Sequence, residues 1–108
     1  MNPNLAARLL IMASYLYYCC DSPAIADGDY DKLSEFVAKN WDKLSEQMQW
    51  QLGSPEDIRA TGSGILITQM GQGAAHSWHK KKTGKNVDRY ALDWRKPHPK
   101  FKCLYAVI

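Results

Sequence analysis

A chain of 108 residues has room for one hydrophobic core and little for a second, so one domain over residues 1–108 is expected. Hydrophobic residues at 45%, charged residues at 23% and four tryptophans exclude a disordered composition, and no apolar run reaches the roughly 18 residues that mark a membrane helix. The net charge of +3 hides a division at Ser54: residues 1–54 carry four basic and seven acidic side chains, residues 55–108 ten basic and four acidic ones.

Taken in chain order, Asn2 caps and Pro3 opens a first helix, with Leu5, Leu9, Met12, Ala13, Leu16 and Cys20 at helical spacing. Asp21-Ser22-Pro23 ends it, because the residue before a proline is pushed out of the α region. Asp27 is the expected N-cap of a second helix whose apolar stripe is Leu33, Phe36, Val37 and Leu44. Asn40 interrupts it, and residues 41–52, with Trp41, Met48 and Leu52, form a further helical turn ending at Gly53. Ser54-Pro55-Glu56-Asp57 combines a cap, a proline at the first helical position and acids in the first turn, which predicts a short fourth helix.

Gly64 to Thr68 is rich in β-formers and predicts a buried strand. Residues 73–83 suit a helix with a cationic last turn and Gly84 beyond its end. Asp88–Trp94 and Lys100–Val107, on either side of Pro97-His98-Pro99, read as two strands joined by a restricted turn. The expected fold class is α+β: an N-terminal module of two to three helices over residues 1–53, then a basic part over 54–108 with a short helix, a further helix and a small antiparallel sheet.

Three segments carry the chemistry: Tyr15-Leu16-Tyr17-Tyr18, Asp21-Ser22-Pro23-Ala24-Ile25-Ala26-Asp27 and Gly28-Asp29-Tyr30-Asp31-Lys32-Leu33. Asp27, Tyr30 and Asp31 lie three and four residues apart and share one helical face, opposite the end of the first helix with Tyr17 and Tyr18. Tyrosine faces attract a cationic aromatic ring, and carboxylates offset such a charge or accept hydrogen bonds from hydroxyls. A phosphate fits less well among those acids.

The spacing, over about residues 5–45, resembles the small N-terminal domain of NAD-dependent DNA ligases, in which a Tyr-x-Tyr-(His/Tyr), Pro-x-Ile-x-Asp, x-x-Tyr-Asp-x-Leu pattern grips the nicotinamide mononucleotide half of NAD. The resemblance implies that Tyr17, Tyr18, Asp27, Tyr30 and Asp31 contact NAD or nicotinamide mononucleotide. The Lys-x-Asp-Gly motif of ligase adenylation does not occur, since Lys85-Asn86-Val87-Asp88 is followed by Arg89. Self-adenylation and nick sealing are therefore not expected, and the implied role is a non-catalytic ligase-related protein. Small proteins of this kind are similar to products of phage and prophage genomes, which implies the cytoplasm of a bacterial host. A helper that lends its module to a ligase in trans is a further option.

Lys80, Lys81, Lys82, Lys85 and Arg89, interleaved with Trp78, Tyr90 and Trp94, give the alternative reading: a module that binds nucleic acid, or a host protein in counter-defence, through its basic half. The competing explanation is that the tryptophans are core and the lysines are solvated. His76, His79 and Cys103 lack a further ligand at zinc spacing, so they are read as packing or surface residues and no metal is expected. Three cysteines, two of them adjacent, fit reduced thiols rather than a disulfide framework, and no membrane partner is expected.

Overall fold

The computed structural model describes residues 1–18, 20, 23–60, 65–86 and 105–107. Its elements are α1 (Pro3–Tyr18), α2 (Asp27–Lys39), a 3₁₀ turn (Trp41–Lys43), α3 (Glu46–Leu52), α4 (Pro55–Ala60), β1 (Leu66–Thr68), α5 (Gln69–Thr83) and β2 (Tyr105–Val107). Among the described residues helices dominate, with one short sheet. No helix among the described residues is long and apolar enough to cross a membrane.

Local capping sets most boundaries. The Asn2 side-chain oxygen accepts from the Asn4 amide at 2.8 Å and the Leu5 amide at 3.4 Å, which satisfies donors at the start of α1. Ser54 does the same for Asp57 at 3.1 Å at the start of α4. Gly53 ends α3 with φ 91° and Gly84 follows α5 with φ 75°, conformations that a Cβ disfavours.

α1 lies at the centre, packed by α2, α3, α5 and β1. Its buried face is Ala6, Ala7, Leu10, Ile11, Ala13, Ser14, Tyr15 and Leu16. Of the predicted stripe, Ala13 and Leu16 lie on this face and Met12 and Cys20 pack against the core, whereas Leu5 is 51% exposed. With neighbours on several sides, burial covers more of the helix than one stripe, and Ala6 and Ala7 are selected for close approach. Leu10, Leu16, Val37, Leu52, Ile58, Ile65, Ile67 and Ala75 belong to one core, so elements from both the acidic and the basic half contribute to it.

Four expectations are corrected. Asp27 does not cap α2; Ala26 occupies the cap position without a side-chain bond, and Asp27 begins the helix itself. Its carboxylate still sits favourably at the positive end of the helix dipole. Residues 41–52 divide into the 3₁₀ turn and α3, because Ser45 caps a new helix through the Met48 amide at 3.2 Å. α5 begins at Gln69 rather than residue 73. The Thr68 hydroxyl accepts from the Gly71 amide at 2.9 Å, and this cap offsets the poor helix propensity of Gly71 and Gly73.

The fourth correction concerns the sheet. β1 and β2 pair in parallel, with Leu66 opposite Tyr105, Ile67 opposite Ala106 and Thr68 opposite Val107, a pairing that the sequence did not indicate; the antiparallel pair expected joins Lys100–Val107 to Asp88–Trp94, which lies outside the described residues. Parallel strands require a long crossover, and α5 lies between them in the chain. The strand read over Gly64–Thr68 shortens to Leu66–Thr68, and that read over Lys100–Val107 is described only as Tyr105–Val107. The strand expected at Asp88–Trp94, the turn at Pro97-His98-Pro99, and Cys19, Arg89 and Cys103 lie outside the described residues.

A candidate nucleotide cavity between α1, α2 and α4

The last turn of α1 delivers Tyr17 and Tyr18, and the first turns of α2 deliver Asp27, Tyr30 and Asp31. All five line one cavity of about 690 Å³, together with Ser34 and Glu35 of α2 and Ile58, Arg59 and Ala60 of α4. Asp29, between the two acids, faces a different cavity, as expected for a residue about 200° around the helix from Asp27. Trp41 packs against the core and does not fill the candidate site.

The aromatic part is ordered by packing and by one buried hydrogen bond. The Ser14 and Tyr30 hydroxyl oxygens are 2.7 Å apart. Ser14 is fully buried in α1, so the bond fixes the tyrosine of α2 against its neighbour helix. The Tyr17 and Tyr30 rings stack with centroids 6.3 Å apart and planes at 28°, while Tyr17 and Tyr18 meet edge-on at 5.0 Å and 86°. Tyr17 remains 44% exposed, which leaves ring surface open to a ligand.

Burial is the main cause that pushes the Tyr30 hydroxyl up to about 12, with the Ser14 bond opposing it and the neighbouring Tyr18, Asp31 and Tyr17 charges adding to it. Tyr30 is therefore neutral at physiological pH and can donate or accept a hydrogen bond. A phenol whose folded value lies above its ordinary value of 10.0 stabilises the fold fully below about pH 10, and that contribution is lost as pH rises toward 12. In an ultraviolet titration, Tyr30→Phe should remove a tyrosinate that appears late in this window.

Asp27 and Asp31 are exposed and take no hydrogen bond or ion pair among the described residues. Both are thus available to a ligand. On the α4 side, Arg59 reaches Glu35 with two hydrogen bonds, Nε to Oε2 at 3.2 Å and Nη2 to Oε1 at 3.3 Å. The guanidinium holds the Glu35 carboxyl below the usual carboxylate range. Among the described residues, the cavity wall thus combines aromatic faces, three carboxylates and one guanidinium.

Sequence reasoning missed Arg59 and Glu35, which are 24 residues apart. A faint signal existed: Arg59 is the only Lys or Arg between Lys43 and Lys80. Ser14 was also missed, since a serine on a helix interior becomes informative only when a buried partner such as Tyr30 is known.

The other candidate residues lie elsewhere. Lys80, Lys81 and Lys82 occupy the last turn of α5, with Lys85 just beyond it, and all four are exposed. Being consecutive, the first three fan around the helix at about 100° intervals, and their charges complement its C-terminal dipole. Trp78 is partly buried against the core.

His76 and His79 have separate structural partners. His76 Nε2 lies 2.8 Å from the Tyr15 hydroxyl with the rings stacked at 5.5 Å, and His79 Nδ1 lies 3.1 Å from the Lys85 carbonyl. Among the described residues no group of three or more His, Cys, Asp or Glu is placed to hold a metal ion. Comparison of the chain with protein-family models, curated proteins and solved structures finds no match.

Proposed function

We propose that the cavity between α1, α2 and α4 binds the nicotinamide mononucleotide moiety, free or as part of NAD, and that the protein acts as a non-catalytic ligase-related binding module. The observation that carries this reading is the convergence of Tyr17, Tyr18, Asp27, Tyr30 and Asp31, from two helices, on one cavity. At about 690 Å³ its volume falls within the ordinary small-molecule range of roughly 300–1,000 Å³. The exposed ring of Tyr17 suits a cationic aromatic ring, and Asp27 and Asp31 suit its charge and the ribose hydroxyls.

Ligand that binds only the folded state raises thermal stability. At 100 times the dissociation constant the gain is about 2.7 kcal/mol, which for a domain of this size corresponds to a melting shift of roughly 10 °C or more. Nicotinamide mononucleotide and NAD should produce a saturable shift and AMP none. An equal shift with AMP contradicts recognition of the nicotinamide half.

A further inference from the structure

We infer that Arg59 is the phosphate-recognising residue of this cavity and makes the site selective for the phosphorylated nucleotide over its nucleoside; this rests on the nicotinamide reading above. Among the described residues, Asp27, Asp31 and Glu35 place three carboxylates on the cavity wall, and Arg59 is its one guanidinium. A nucleoside with a cationic base is compatible with the acids alone. A phosphomonoester brings up to two negative charges and is repelled by the same acids unless a cation meets it.

Arg59 has the required geometry, because its fork already forms two parallel bonds to a carboxylate, and the same arrangement accepts a phosphate. The Glu35 contact holds this fork without locking it in place. Its side chains are 46% and 47% exposed, and solvent-exposed ion pairs of this kind contribute little. A phosphate can therefore replace Glu35 as partner at small cost, leaving the Glu35 carboxylate to water. Glu35 then acts as a placeholder that holds Arg59 on the α2–α4 side of the cavity.

The test compares nicotinamide mononucleotide with nicotinamide riboside by calorimetric titration on the native protein and on Arg59→Gln, Arg59→Lys and Glu35→Gln, each checked for an unchanged fold by circular dichroism. The native protein should prefer the mononucleotide. Arg59→Gln should weaken the mononucleotide by about tenfold or more and leave the riboside within about twofold, as expected for loss of a charged hydrogen-bonded pair. Arg59→Lys should fall between, and Glu35→Gln should increase the preference for the mononucleotide. Equal losses for both ligands in Arg59→Gln, or no loss for either, overturn the assignment of Arg59 while the cavity reading stands. Absence of saturable binding of either ligand to the native protein overturns both.

Discussion

Leu10→Ala should cost about 2–5 kcal/mol of folding stability, whereas Leu5→Ala should change it by no more than about 0.5 kcal/mol. Leu10 is fully buried at the centre of the core, and Leu5 is 51% exposed on the same helix. Truncating Leu10 removes apolar burial and leaves a cavity among elements that cannot fully collapse, because α1 is held by α2, α3, α5 and β1 together. Since domains of this size are stable by only about 5–15 kcal/mol, the Leu10 variant loses a large fraction of the total. Chemical denaturation of both variants checks the buried face of α1 directly: comparable losses at the two positions contradict it.

Joint replacement of Tyr30 and Asp31 by alanine should abolish measurable nicotinamide nucleotide binding, a loss of about 100-fold or more if each side chain contributes about 1.5 kcal/mol. Tyr30 supplies part of the stacked aromatic wall and Asp31 an acid with no other partner among the described residues. Two single variants separate the effects. Tyr30→Phe keeps the ring and loses the 2.7 Å bond to Ser14, so it should lower stability while retaining most affinity. Asp31→Asn, on an exposed position, should lower affinity with the fold intact.

Much of the architecture was legible because local chemistry determined it. Asn2 with Pro3, Ser54 with Pro55, and the glycines at 53 and 84 mark helix ends through hydrogen bonds and backbone conformations that involve only near neighbours. The start of α5 was not legible, since Gly71 and Gly73 weigh against a helix until the Thr68 cap is recognised. The exposed position of Leu5 and the buried one of Ala7 depend on how many elements surround α1, a property that periodicity within one helix does not carry. The pairing of β1 with β2 joins residues far apart in the chain, across α5, and no local signal in either strand indicates it.

The candidate site divides along the same line. The spacing of Asp27, Tyr30 and Asp31 already put three side chains on one helical face, and the position of Tyr17 and Tyr18 at the end of the preceding helix put the aromatic pair beside it. That Asp27 starts α2 rather than capping it could not be read from sequence, because an aspartate suits both positions equally. The contribution of α4 left only a faint trace in the sequence, the isolation of Arg59 between Lys43 and Lys80. Arg59 and Glu35 meet only because α2 and α4 pack together, and their pairing converts a wall of acids and tyrosines into one with a place for a phosphate.

The most direct measurement is calorimetric titration of the protein with nicotinamide mononucleotide at moderate salt, with AMP as control. Saturable heat with the mononucleotide, lost in the Tyr30→Ala and Asp31→Ala double variant and not seen with AMP, is the predicted result. No heat with the mononucleotide, or equal affinity for AMP, contradicts a nicotinamide site between α1, α2 and α4.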